Sequence, residues 1–376
     1  MKHLFERFKN EYSAVISRLF FLLLTTMSTF LFAQQAAQKE KPTVTYEELY
    51  DEPYSINKLF IGFQPIYGEV FATNTNAGFG AEASYMYKDK FDLKAHFRKS
   101  YSSQYFDNNR HALEQAQNPA MPGSYISNTA QIFHYYELGG TYHIKDFDQD
   151  SKTKLILYKK SFKGERWAAT VPQQAEVPCK VRKIYGLRVG AIQWASTTDL
   201  TRALKKQHLT NADLKSSSNP SLSLPTSYQN TNTGLRDSLN VFSNISATNV
   251  YLGGSMSWIR NVAISFDKYE SGIDDGMMTL FFDIIYAPAL KLNNVTYTSD
   301  PITQAPQDYS TKAVKLSPIG FRLGIDGKFN RTFGWSYGGE VGSRPTVKGM
   351  GFYAMFKIAF PLYGTTLDNK VESFGK

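Results

Sequence analysis

Cysteine is almost absent from the chain, because Cys179 is the single one among 376 residues. One cysteine cannot form a disulfide within the chain, so we expect Cys179 to be a structural thiol without a partner. Its position deep in the sequence also leaves no cysteine near the start to take a lipid. These two points exclude a disulfide-stapled scaffold and argue against a lipoprotein.

Long apolar runs are missing as well. The apolar stretch at residues 19–32 follows four basic residues and is followed by Ala33. It is shorter than the roughly 18–20 residues that a membrane-spanning helix needs, and its charged, apolar, small-residue order is that of a secretory signal peptide. We therefore predict a signal peptide at residues 1–33 that directs export by the Sec route and is cleaved, with a retained anchor as the alternative.

No later segment carries an apolar run long enough for a transmembrane helix, so the mature chain is either soluble or a β-barrel. Aromatic residues make up 15% of the chain, yet the mean hydropathy is −0.36. This combination is typical of barrels, in which lipid-facing residues alternate with polar ones. The formal charge of +9 is spread along the chain without a block of one sign, and we expect no nucleic-acid partner.

Alternation is clearest at residues 91–98, which place Phe, Leu, Ala and Phe on one face and Asp, Lys, His and Arg on the other. Such a period of two predicts strands with two different faces. Ten segments reach the ~9–11 residues that a tilted membrane strand needs, which predicts an all-β fold, a transmembrane antiparallel β-barrel. They are 58–71, 77–87, 91–101, 131–144, 180–194, 247–260, 276–288, 314–328, 332–343 and 350–361. The rows expected to face lipid are the alternate residues of 79–85, 185–191, 278–284, 319–325 and 352–360.

The connections between these segments support a barrel at 58–361, because bacterial barrels have short periplasmic turns and long extracellular loops. The large outer connection, 195–246, is rich in Ser, Asn and Thr, which is typical of a flexible surface loop. An even strand number puts both chain ends in the periplasm, which makes 34–57 a periplasmic lead-in and 362–376 a periplasmic tail.

The segment 145–179 is the exception, because it is a long connection on the inner side. It is either a periplasmic hairpin or an extra strand, and in the second case a partner inside 195–246 gives twelve strands. A soluble β-sandwich is the alternative fold, although its strands are usually about 5–6 residues long.

The inner faces of the predicted strands carry as many acids as bases. In a barrel of about ten strands, balanced charges are expected to pair and fill the interior, with an ion or solute pathway as the alternative. The predicted charge network comprises Glu82, Asp92, Lys94, Arg98, Glu137, Arg182, Arg188, Asp283, Arg322, Asp326, Glu340 and Lys357.

Catalytic and metal-binding patterns are weak. The Asp-x-His pair of omptin proteases and the His-Ser pair of outer-membrane acyl hydrolases do not occur, so we expect a protein that is not an enzyme and needs no cofactor. Asp146, Asp148 and Asp150 alternate as calcium ligands can, but Ser151 and Leu157 stand where an EF-hand needs Gly and Glu. We expect a solvated turn there and no metal.

The pattern of strands and connections resembles that of outer-membrane β-barrels of the Bacteroidota, a likeness that covers roughly residues 55–365 and rests on no diagnostic motif. Two short sequences also resemble ones found in that phylum. Asp237-Ser238-Leu239 resembles the O-glycosylation site of secreted proteins of that phylum, which implies a glycan on Ser238. Phe32-Ala33-Gln34 resembles the end of its signal peptides. One departure is that sixteen residues follow Phe360, whereas many barrels end on an aromatic residue.

The sequence therefore favours a protein of the cell outer membrane that acts as a structural or accessory subunit of an outer-membrane complex. The expected roles are envelope assembly, secretion or surface attachment. A narrow porin-like channel for ions or small solutes is the alternative function. The expected partners are outer-membrane lipid, lipopolysaccharide and other outer-membrane or periplasmic proteins.

Overall fold

The computed structural model describes residues 45–71, 74–101, 125–158, 173–230, 233–298, 305–330 and 334–364. Ten antiparallel strands form a closed barrel, in which each strand pairs with its neighbours along the chain and the last pairs with the first. They are β1 (Leu59–Phe71), β2 (Asn74–Tyr87), β3 (Phe91–Ser100), β4 (His134–Leu157), β5 (Gln173–Asp199), β6 (Phe242–Ile259), β7 (Gly276–Leu292), β8 (Ile319–Phe329), β9 (Ser336–Ser343) and β10 (Phe352–Gly364).

The prediction of a ten-stranded antiparallel barrel is confirmed, and the twelve-strand and sandwich alternatives are wrong. The largest differences concern β4 and β5, which were predicted at 131–144 and 180–194. Both strands continue far beyond these limits and stay paired as far as Leu157 and Gln173. Residues 145–157 and 173–179 therefore lengthen one hairpin and do not add a strand to the barrel.

Alternation along the strands separates an apolar outer face from a mostly polar inner face. On β8, Ile319, Phe321 and Leu323 are exposed on the outside, whereas Arg322 between them is buried in the lumen. The other rows expected to face lipid lie on the same outer surface. Because these apolar side chains face outward around a closed sheet, their medium is lipid rather than a second sheet.

The seam between β1 and its neighbours is irregular around Pro65. The register of β1 shifts between Phe63 and Ile66 against β10, and between Gln64 and Tyr67 against β2. Proline has no backbone N–H for the ladder, so it is found in sheets at bulges and edges. The carbonyl oxygen of Pro65 accepts a hydrogen bond from the Tyr101 hydroxyl at 2.6 Å, which partly replaces the lost pairing.

One end of the barrel, here named the turn end, holds the start of β1 and the tight turn at residues 88–90. Lys88 and Asp89 there have positive φ angles of 51° and 52°, which a tight hairpin turn requires. A three-stranded sheet also lies at this end, and it is formed by Tyr46–Asp51, Val262–Phe266 and Gly272–Asp274.

The extension of the β4–β5 hairpin packs against this small sheet. Leu155 and Val177 are buried, and Thr153 Oγ1 donates to Asp274 Oδ2 at 2.7 Å. A side chain on Gly272 would press against Leu155, which shows how closely the two layers approach. The turn end is therefore a folded two-layer structure rather than a set of short turns.

The opposite end, here named the cap, is made of the long connections. It contains helix α1 (Leu200–Lys206), the 3-10 turn Asn211–Asp213, and a four-stranded sheet of Tyr125–Ile126, Val295–Thr298, Gln307–Ser310 and Lys215–Ser216. Two further strand pairs complete it: Ser227–Gln229 with Arg236–Ser238, and Leu316–Ser317 with Thr346–Val347. Among the described residues, no helix is long and apolar enough to span a membrane.

The cap has a hydrophobic core of its own that continues into the adjoining half of the barrel. Leu200 and Leu204 of α1 are buried with Phe242, Val295 and Tyr309. Asp199 caps α1 by accepting from Arg202 N at 3.0 Å. The expectation of a flexible loop at 195–246 is therefore wrong, because leucines spaced through its polar sequence bury themselves together.

Candidate functional site

Two arginines cross the centre of the barrel and bind acids on other strands. Arg322 donates from Nε to Asp283 Oδ2 at 2.7 Å and from Nη1 to Glu137 Oε2 at 3.0 Å. Arg188 donates from Nε to Asp283 Oδ1 at 2.9 Å. All four side chains are buried. These bonds join β4, β5, β7 and β8 through the middle of the lumen.

Aromatic rings fill the space around these ion pairs. The guanidinium of Arg322 lies 4.5 Å from the ring centre of Tyr251, and that of Arg188 lies 4.1 Å from the ring centre of Phe281. Such contacts stabilise a desolvated cation. Glycines on nearby strands make room for the rings, because a Cβ on Gly139 would collide with the Tyr251 hydroxyl and one on Gly324 with the Phe281 ring.

A second cluster of charges lies nearer the turn end. Lys357 Nζ donates to Glu82 Oε2 at 2.7 Å and lies 3.4 Å from Asp326 Oδ1. Lys94 Nζ lies 3.4 Å from Asp326 Oδ2 and 3.6 Å from Asp92 Oδ2. Asp326 is thus shared between two lysines from β3 and β10, and the cluster ties opposite walls of the barrel together.

A third group lies beneath the cap and includes a pair that the sequence analysis missed. Arg344 donates from Nη1 to Glu69 Oε1 at 2.8 Å, and its guanidinium lies 4.0 Å from the Tyr353 ring. Arg98 lies 3.9 Å from Glu340 Oε1 and 4.0 Å from the Tyr135 ring. The alternation of β1 could have assigned Glu69 to the lumen. Arg344 gave no such signal, because it lies in a connection.

The structure brings eleven of the twelve predicted network residues into these groups. Arg98, Glu137, Arg188, Asp283, Arg322 and Glu340 form one chain of contacts, and Glu82, Asp92, Lys94, Asp326 and Lys357 form another. Arg182 lies apart at the turn end. Its Nε donates to Asp146 Oδ1 at 2.8 Å, and its guanidinium lies 4.4 Å from the Tyr54 ring.

Little free space is left between the second cluster and the turn end. A cavity of about 50 Å³ lies there, lined by residues that include His96, Thr279 and Lys328. Such a volume holds a few water molecules, because one water needs at least ~10–15 Å³. The sequence analysis missed Lys328, a buried lysine whose Nζ lies 3.4 Å from Ser84 Oγ.

The turn-end side of this cavity is lined in part by Ile56 and Asn57, which belong to residues 46–57, here named the strap. Ile56 of the strap is buried in a cluster with Met86, Ile184 and Ile259. Asn57 Nδ2 donates to the carbonyl oxygen of Asn330 at 2.6 Å, and Asn261 Nδ2 donates to that of Ser55 at 2.7 Å. The strap is therefore held to the barrel on both sides of Ile56.

Introducing a charge into the strap is expected to admit solvent to this cavity. In a background in which Cys179 is replaced by alanine, Thr279→Cys places a thiol in the cavity wall. Adding Ile56→Asp should make the thiol react much faster with a small maleimide, because an aspartate cannot remain in the apolar cluster without a partner. Leu235→Asp, at an exposed hairpin in the cap, is the control. Equal reaction rates in all three proteins would contradict a closing role of the strap.

The remaining predicted sites lie elsewhere. Asp146, Asp148 and Asp150 alternate along the paired strand β4, so the expectation of a turn there is wrong, and Arg182 binds the first of them. No group of three or more His, Cys, Asp or Glu side chains that could hold a metal is present in the described part of the chain. Ser238 is exposed in the cap as the last residue of a short strand. Cys179 is buried in the hairpin extension. The signal region and the tail at 365–376 lie outside the described residues.

Comparisons with known proteins give no family. No protein-family model matches the chain, and neither does any curated protein. Among solved structures, the chain is similar to the "CymD monoaromatic hydrocarbon channel", with a TM-score of 0.22, 5% identity, and coverage of 86% of this chain and 94% of that one. The toluene transporter TodX of P. putida gives a TM-score of 0.18 and 8% identity over 82% and 89% of the two chains.

A loop-deletion mutant of OmpT, an outer membrane protein of Vibrio cholerae, gives a TM-score of 0.17 and 9% identity over 82% and 100% of the two chains. Similarity at this level assigns neither an activity nor a substrate to the chain. The architecture is that of an outer-membrane β-barrel. The relation to the Bacteroidota stays a prediction.

Proposed function

We propose that the chain is a closed, non-enzymatic barrel of the bacterial outer membrane that acts as a structural or accessory subunit of a larger complex. The observation that carries this proposal is the lumen, where Arg322 and its acidic partners are buried at hydrogen-bond distance. A pore needs polar walls around water, whereas here paired charges and aromatic rings pack together in the lumen. The cap and the strap add a closure at each end.

The folded ends of the barrel support the role in a complex. A barrel that only anchored itself would need no more than turns and loops at its ends, yet here the cap has a core and the turn end has a second layer. The edge strand Tyr46–Asp51 of that layer exposes Tyr46 and Leu49. An edge strand with exposed apolar side chains can add a strand from another protein.

The native size of the protein tests this proposal. A tagged chain extracted from outer membranes in a mild detergent should migrate as a larger particle than the same chain purified alone. The variant Tyr46→Lys with Leu49→Lys should reduce that particle to the lone barrel, whereas Lys152→Glu on the exposed side of the hairpin should not. A chain that always migrates alone would overturn the proposal.

A narrow channel is the second candidate function, and the cavity beside Lys328 favours it. That cavity joins the polar second cluster to the turn end, so a movement of the strap would leave a polar vestibule. CymD and TodX, whose solved structures are similar to this chain, are themselves described as channels. Uptake of small sugars by liposomes containing the full chain would separate this candidate from a closed barrel.

The mature protein is expected to begin at Gln34, since Ala33 is the small residue best placed after the apolar run. Peptide mass spectrometry of the protein from purified outer membranes should find this terminus. Protein that retains residues 1–33 and fractionates with the inner membrane would contradict both the cleavage and the location.

Ser238 is expected to carry a glycan if the cap faces the outside of the cell. The serine is exposed, while Leu239 beside it is buried and holds the segment in place. The intact mass of the mature protein should therefore exceed that of its sequence and should fall to it in Ser238→Ala. An unchanged mass in the variant would contradict the assignment.

A further inference from the structure

Five lysines lie on three segments that meet at one corner of the cap, here named the lysine corner. All five side chains are exposed. They come from the last turn of α1 and from the connections that precede β8 and follow β9. The members are Lys205, Lys206, Lys312, Lys315 and Lys348.

Gln207, just after α1, fixes the geometry of this corner. Its side-chain amide donates to the carbonyl oxygens of Lys315 at 3.0 Å and Lys348 at 3.2 Å, and its side-chain oxygen accepts from Lys315 N at 2.8 Å. Lys348 N also donates to the carbonyl oxygen of Lys315 at 2.9 Å. Lys206 Nζ donates to the carbonyl oxygen of Gly349 at 2.7 Å. The three connections are therefore held together by specific hydrogen bonds.

The lysine corner has no acidic counterpart. Within the part of the chain that the structure describes, no carboxylate lies at ion-pair distance from any of its five ammonium groups. This contrasts with the lumen, where almost every base has an acid. Like charges held close together repel one another, and an anion from outside the chain would relieve that repulsion.

The corner lies just above the lipid-facing surface of the barrel. Lys315 precedes the exposed Ile319, the first residue of β8, by four residues, which is at most about 14 Å of chain. The strand pair Leu316–Ser317 and Thr346–Val347 lies between the corner and the ends of β8 and β9. Phe352 at the start of β10 is also exposed on this side of the barrel. In a membrane-embedded barrel, lysines this close in sequence to the end of a lipid-facing strand are within reach of lipid headgroups.

We propose that the lysine corner binds the phosphate groups of an outer-leaflet glycolipid of the lipid A type. Lysine is a compact point charge suited to phosphate, and several lysines near an anionic membrane surface add to one another. The apolar rows of β8 and β10 below the corner would contact the acyl chains of the same lipid. This inference rests on the proposed outer-membrane location with the cap outside.

Full-length protein in nanodiscs of phosphatidylcholine provides the test, with diphosphorylated lipid A added and bound lipid counted by native mass spectrometry. The variant Lys312→Gln, Lys315→Gln and Lys348→Gln removes three charges whose side chains make no hydrogen bond or ion pair within the described residues. It should bind lipid A at least about tenfold more weakly. The control is Lys145→Gln, Lys154→Gln and Lys180→Gln, which removes three exposed lysines at the turn end and should bind as the parent does.

Lipid A without its phosphates should bind the parent and the lysine-corner variant equally weakly. Equal binding of diphosphorylated lipid A by the two triple variants would overturn the proposal, and so would competition by free inorganic phosphate at the concentration of the lipid. The experiment depends neither on conduction nor on a partner protein. If lipid A does not bind, the proposal of a closed barrel is unaffected. If the barrel conducts ions, the lipid A measurement can still be interpreted.

Discussion

Arg322→Met is expected to lower the stability of the barrel more than any other single substitution in the lumen. Arg322 is buried at hydrogen-bond distance from both Glu137 and Asp283. Without it, Asp283 keeps Arg188. Among the described residues, however, Glu137 then keeps only the hydrogen bond from the Tyr135 hydroxyl at 2.7 Å. Breaking one partner of a buried ion pair costs about 3–5 kcal/mol, because a charge is left in a medium of low polarity.

The measurement is the midpoint of unfolding in urea of the refolded protein. The folded fraction at each urea concentration is detected by its heat-modifiable mobility on gels. Lys152→Met is the matched control, since it removes the exposed pair with Glu176, in which the two charged atoms are 3.2 Å apart. Exposed pairs contribute about 0–1 kcal/mol. Adding Glu137→Gln to Arg322→Met should recover much of the loss, because it removes the unpaired charge. Equal midpoints for Arg322→Met and Lys152→Met would contradict the packed network.

Leu323→Arg is expected to have the second largest effect. Leu323 lies on the outer face of β8, four residues inside the strand, and is 52% exposed to the medium around the barrel. An arginine near the midplane of a membrane barrel costs about 2–4 kcal/mol. The cost arises from the lipid, so it should appear as slower and less complete refolding into lipid vesicles.

Leu235→Arg is the control for that prediction. Leu235 is 67% exposed and lies at a hairpin of the cap, where the same side chain meets water instead of lipid. It should refold as the parent does. If the two variants refold equally well, the outer surface of β8 does not face lipid and the assignment of its two faces is wrong.

The strands could be predicted because their two faces meet different media. Lipid outside and polar side chains inside impose a period of two, and segments such as 91–98 show it without any tertiary information. The ends of β4 and β5 were harder to predict. Leu155 and Leu157 alternate just as lipid-facing residues do, although they bury against a small sheet at the turn end.

The ion pairs could not be predicted individually. Alternation assigned Arg322 and Glu137 to the lumen, but these residues are 185 positions apart, and their contact depends on how the closed sheet is staggered. Glu69 and Arg344 show the same limit, because one lies on a strand and the other in a connection. The cap was missed for a different reason. Its buried leucines are separated by irregular polar stretches that carry no period.

The conductance of the purified protein tests the central claim of a closed lumen most directly. Full-length protein inserted in a planar bilayer should give no steady current above background, since the groups around Arg322 and Lys357 occupy the lumen and the cap and the strap pack at its two ends. A steady, ion-selective current from the unmodified barrel would contradict this account and would establish the channel as the function.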